Sequence, residues 1–152
     1  MEEKYLVSVI GTQYVDENEE TIELTTSASY YELHGNKYIR YREYDDEDDD
    51  IVITNIIKIE SDEKVTVTKN VDGRISTLIL ECGVRHQTML SSMFGSLTIG
   101  VFTDNIEADI DESGGTVEAD YSIDFNADVE SENHIKIVLK KKGEKENVED
   151  SN

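Results

Sequence analysis

The sequence predicts an all-β protein, a closed antiparallel up-and-down barrel of eight to ten strands. Three observations lead to the barrel. Apolar and polar residues alternate with a period of two almost from end to end. Turn-forming stretches separate the alternating runs at short, regular spacing. No segment carries the 3.6-residue period of a convincing amphipathic helix. Hairpin-length connections favour a meander over a Greek key, and closing the meander removes edges that would otherwise recruit other chains.

The elements follow in order. After the acidic start of "MEEKYLVSV" comes a short strand-like run, and "TIELTTSASYYEL" then puts Ile22, Leu24, Ala28 and Tyr30 on one face with Thr26 between them. In "HGNK" (34–37) a Gly-Asn pair suits a tight turn that needs positive φ. "YIRYREY" sets Ile39, Tyr41 and Glu43 opposite Arg40 and Arg42. Beyond six acids from Asp45 to Asp50, "IVITNIIKIE" is apolar enough for a strand covered on much of both faces. "KVTVTK" and "RISTLILEC" follow, separated by "NVDG". "SLTIGVF" and "NIEADID" alternate next, and "ESGG" turns into "TVEADYSIDF". That strand points Val117, Ala119, Tyr121, Ile123 and Phe125 inward, with Glu118, Asp120, Ser122 and Asp124 outward. "HIKIVLK" closes the set with Ile135, Ile137 and Leu139. Residues 1–141 form the expected single domain, and residues 142–152 an expected disordered, charged tail. The expected interior comprises Leu24, Tyr30, Ile39, Tyr41, Val67, Leu80, Ile99, Tyr121, Ile123 and Ile137.

At 152 residues the chain can bury a real core. Its 35 acids against 14 bases give a net charge of −21, which excludes simple attraction to nucleic-acid phosphates or anionic lipid surfaces. Basic proteins or metal cations are the charge-driven partners this leaves. Many acids fall on outward strand positions or in turns, where they discourage edge pairing. The N-terminus does not read as a signal peptide, no apolar stretch approaches spanning length, and the lone Cys82 excludes an internal disulfide framework. A cytoplasmic protein is expected.

Residues 82–123, "CGVRHQTMLSSMFGSLTIGVFTDNIEADIDESGGTVEADYSI", carry a glycine, an aromatic-Gly turn, a threonine, a Gly turn and an apolar-Tyr-apolar strand. These are Gly83, Phe94-Gly95, Thr103, Gly114-Gly115 and Tyr121. Together with "YIRYRE", ending at Glu43, this order and spacing resembles the YwiB-like family of small bacterial proteins. The resemblance spans nearly the whole chain apart from the acidic run and the tail. Leu90 stands where that family often has an aromatic residue, and Lys69 where it often has arginine. The resemblance implies a calycin-like, lipocalin-type barrel and, since the family has no assigned activity, no function.

Candidate sites are few. The acidic run does not fit the helix–loop–helix calcium pattern, because counting from Asp46 puts Ile51 and Ile57 at the sixth and twelfth places. It reads as a solvated loop, with a looser cation site as the alternative. Glu43 shares the inward face of Ile39 and Tyr41, so its carboxylate needs a partner or water. Lys69, which follows Val65 and Val67, is the candidate partner, and Tyr41 and Tyr121 complete a set of polar residues expected in the barrel interior or at its mouth. Cys82 and His86 do not make a nucleophile–base pair by spacing alone, and Cys82 alternates with Leu78 and Leu80 as a core thiol would. His34 and His134 are expected at turn edges. No catalytic residue, cofactor or metal site is expected. Two functions remain: a module binding a small, partly apolar ligand inside the barrel, or an acidic interaction protein whose outer surface holds a basic protein partner. Metal-dependent chemistry at the acidic loop is a third.

Overall fold

In the computed structural model, which describes residues 2–44, 50–92, 95–125 and 128–143, ten strands form one antiparallel sheet. They are β1 (Tyr5–Val15), β2 (Asn18–Leu33), β3 (Asn36–Tyr44), β4 (Val52–Ser61), β5 (Lys64–Val71), β6 (Arg74–Glu81), β7 (Arg85–Ser92), β8 (Gly95–Asp111), β9 (Gly114–Phe125) and β10 (Asp128–Lys141). The spatial order is β6-β5-β4-β3-β2-β1-β10-β9-β8-β7. Every neighbour is also a sequence neighbour except β1 and β10, whose pairing joins the two halves of a meander.

The sheet curls until β6 and β7 meet, but no ladder joins them. The seam is held by a parallel bridge between Cys82 and Thr103, in which the Gly83 amide donates to the Thr103 carbonyl at 2.9 Å. The Thr88 hydroxyl donates to the Thr77 carbonyl at 2.9 Å. The barrel is therefore nearly closed, consistent with a calycin-like architecture.

The core consists of inward residues of the strands, including Val7, Ala28, Ile39, Ile57, Val65, Leu80, Val101, Val117, Ile137 and Leu139. Of the expected interior, Ile39, Tyr41, Leu80, Ile99 and Ile137 are buried, whereas Leu24, Tyr30, Val67, Tyr121 and Ile123 are half-buried and pack against that core. Ile22 is exposed, because the β1–β2 hairpin runs on past the packed region. Phe125, expected inside, is also exposed, since β9 ends there.

Three local expectations change. The β2–β3 turn is His34-Gly35, with φ of 53° and 82°, and Asn36 already belongs to β3. Two left-handed residues make the tight turn that suits the twist of the flanking strands, and glycine takes the second place at no steric cost. His134 lies within β10 and not at a turn edge. Asp124 does face outward, yet it is buried, because the Arg85 guanidinium covers it. Arg85 Nε donates to Oδ2 at 2.9 Å and Nη2 to Oδ1 at 2.6 Å. The guanidinium lies across Gly100, directly opposite Asp124 in the ladder, where a Cβ would collide with it.

The two ends of the barrel differ. At one end, inward side chains cross the interior. The Tyr5 hydroxyl donates to the Glu112 carbonyl at 2.6 Å, and the Lys37 ammonium donates to the Ile110 carbonyl. Tyr30 packs on Tyr5 with ring centroids 5.7 Å apart. This end is plugged. The other end, where β1, β3, β5, β7 and β9 finish, is the mouth. Of the acidic run only Asp50, which is exposed, lies among the described residues; 45–49 lie outside them, as do Phe94 and 144–152. Within the expected tail, the Lys142 amide donates to the Lys4 carbonyl at 2.8 Å and its ammonium to Ser27 Oγ at 2.6 Å.

Candidate functional site

Inside the mouth, the ladder aligns Tyr41, Asn55, Lys69 and Ser76 across β3, β4, β5 and β6, all on the inward face. Glu43 occupies the next inward position of β3 toward the mouth. Asn55 Nδ2 donates to Glu43 Oε2 at 2.7 Å. Lys69 Nζ approaches the same oxygen, at 3.8 Å. The structure thus brings together Tyr41, Glu43 and Lys69 of the sequence candidates, and adds Asn55.

Asn55 is fully buried, and its Oδ1 has no hydrogen-bond partner among the described residues. An unsatisfied buried carbonyl of this kind costs about 1–3 kcal/mol. The sequence signal for Asn55 was present but easy to pass over. It is an amide inside "IVITNIIKIE" at the alternate position between Ile53 and Ile57, so it had to face where they face. Burial, and secondarily the Glu43 charge, pushes the Tyr41 hydroxyl up to about 12. Tyr41 therefore stays neutral and supplies a phenol, not a phenolate, at neutral pH.

Beside this row a cavity of about 300 Å³ follows the β6–β7 seam. Val67, Leu78, Ile99 and Ile123 form its aliphatic walls, while Lys69, Ser76, Thr77 and Thr88 supply polar groups. It exists because no ladder draws β6 and β7 together at this height, so the two strands splay. Tyr121 is elsewhere. It lines another cavity of about 210 Å³, with Gly11, Gln13, Glu20, Ile22 and Asn133, and burial raises its pKa.

The remaining sequence candidates have structural partners. Cys82 packs against the core and its thiol reaches the Asp62 carbonyl at 3.7 Å. His86 Nε2 meets Glu81 Oε1 at 2.8 Å. On the outer wall His134 is held between Asp120, at 2.7 Å from Nδ1, and Glu118, at 3.3 Å from Nε2. These acids raise its pKa, with the hydrogen bond to Asp120 the largest cause. Among the described residues no three His, Cys, Asp or Glu side chains converge so as to hold a metal ion, and no helix is long and apolar enough to cross a membrane.

This fold agrees with known proteins. A family model described as a domain of unknown function, DUF1934, matches residues 7–137. The chain belongs to the DUF1934 family. A solved structure, the crystal structure of ywiB protein from Bacillus subtilis, superposes with a TM-score of 0.78 at 22% sequence identity, covering 91% of this chain and 92% of that chain. At that identity the likeness concerns the fold alone. No curated protein matches. Membership in DUF1934 assigns no chemistry to the mouth.

Proposed function

We propose that the chain is a cytoplasmic, calycin-like binding module that holds a small, partly apolar ligand at the barrel mouth. One observation carries this reading. The interior is packed through most of its length, yet beside the seam it leaves about 300 Å³ walled by four aliphatic side chains and edged by an ammonium and hydroxyls. Pockets that bind small molecules share that composition, an apolar body with few polar groups to fix orientation, and begin at about this size. Retaining Asn55, with one amide atom unsatisfied, beside such a space also fits a binding wall better than a filled core. The lone cysteine, held against the core, suits a reducing compartment.

Native mass spectrometry of freshly purified protein, paired with titration of an environment-sensitive apolar dye, tests the proposal. A retained small molecule, or saturable dye uptake abolished by filling the cavity with Thr88→Phe, is the expected result. A bare mass together with no dye uptake overturns it.

A second reading rests on the outer wall. There Glu107 stands directly opposite Glu118 in the β8–β9 ladder, with Asp109 and Asp120 nearby on the same face. Like charges placed opposite one another destabilise a sheet, so a wall that keeps them is suited to a basic protein partner. Capture of basic proteins that weakens steeply with salt is expected; capture insensitive to salt removes this reading.

A further inference from the structure

We infer that the ligand of the mouth cavity is an aliphatic amphiphile with a monoanionic head, its chain among Val67, Leu78, Ile99 and Ile123 and its head on Lys69. The inference rests on the proposal that this cavity binds a ligand, and it specifies the chemistry.

The walls decide the body. Among the described residues all four apolar lining side chains are aliphatic and none is aromatic, so a flat ring system finds no stacking partner in them. A flexible hydrocarbon chain gains from burial alone, at about 0.8 kcal/mol per methylene.

Lys69, the single charged lining residue among the described residues, decides the head. Lys69 has one ionic partner among the described residues, Glu43, and that contact is long at 3.8 Å. The Glu43 oxygen involved already accepts the much shorter bond from Asn55. An ammonium carries three donors, and Lys69 is half-exposed at the cavity edge with donors to spare. Ser76 lies directly opposite Lys69 in the β5–β6 register and lines the same space, adding a hydroxyl within the same small region. Arg74 occupies the next inward position of β6 toward the mouth. Among the described residues, the carboxylate that meets Lys69 is Glu43, which does not line the cavity and is engaged by both Asn55 and Lys69. A carboxylate therefore fits the charge of the described edge better than an ammonium does.

The experiment uses the full chain and three ligands of equal chain length, octanoate, octanol and octylamine, titrated by calorimetry at pH 8. Octanoate is expected to bind roughly tenfold or more tighter than octanol, the range of one hydrogen bond to a charged group. Lys69→Gln should bring octanoate down to the level of octanol without changing octanol, and Lys69→Arg should retain the preference. Glu43→Gln, which releases Lys69 from its competitor, should tighten octanoate. Equal binding of octanoate and octanol, or tighter binding of octylamine, overturns the anionic head while leaving the binding module standing. Binding of none of the three overturns both.

Discussion

The two ends of this barrel are built from the same ten strands, yet their inward polar groups are treated in opposite ways. At the plugged end, Tyr5 and Lys37 send donors across the interior to backbone carbonyls of Glu112 and Ile110, tying β1 and β3 to the far hairpin. At the mouth, Glu43, Asn55 and Lys69 pair only with near neighbours on adjoining strands, and one buried amide oxygen is left over. A buried polar group that is fully satisfied adds rigidity. One that is partly satisfied costs stability, as at Asn55 in the mouth and at Thr103 on the seam. The difference separates the end that holds the fold from the end that faces a ligand.

The largest test of that division compares two leucines. Leu139 is buried near the plugged end, whereas Leu78 is half-buried and lines the mouth cavity. Leu139→Ala should cost about 2–5 kcal/mol in urea unfolding, the usual range for a buried leucine. Leu78→Ala should cost clearly less, because space already lies beside it. Equal losses would mean that the mouth carries as much of the fold as the plug.

Next come two hydroxyls with opposite expected signs. Tyr5→Phe removes a donor that crosses the barrel and should lower stability by about 0.5–1.5 kcal/mol. Thr103 is buried at the seam with its hydroxyl unpartnered, so Thr103→Val should leave stability unchanged or raise it, by up to about 1–3 kcal/mol. A loss at Thr103 comparable to that at Tyr5 would show that the seam depends on the hydroxyl.

The smallest effect belongs to the outer wall behind the mouth. The folded pKa of His134 lies above its ordinary value of 6.5, so the native state holds the proton more tightly than the unfolded chain. Its contribution to stability is complete below about pH 6.5 and is lost as pH rises through the raised value. A slight decline in melting temperature over that window, absent in His134→Gln, is expected, along with an imidazole titration above 6.5 by NMR. An unshifted titration would remove His134 from the account of how the opposed acids of this wall are tolerated.

Much of this was legible in the chain. Period-two alternation and regular turns prescribe a strand meander, because side chains on successive residues of a strand must point to opposite faces. The same rule places Glu43 beside Tyr41 and puts Lys69 in line with Val65 and Val67, and the ladder then sets both within reach of one another. Asn55 obeys it too, although its apolar surroundings conceal it. What alternation cannot express is depth. Tyr121 shares an inward face with Ile123, but it lines a different cavity from Lys69, since strand stagger decides how far along the barrel each position falls. Nor does it reveal covering. Asp124 is outward, as its parity requires, and is buried only because Arg85, 39 residues earlier, lies over a glycine that leaves room for it. The sequence by itself determined most of the strands, their faces and the family, because those depend on neighbours along the chain; it left β7 unplaced and read the single strand β8 as two runs. Tertiary structure alone decided which strands would close the barrel without a ladder, and hence where a cavity opened, because that depends on how ten twisted strands meet at their two ends.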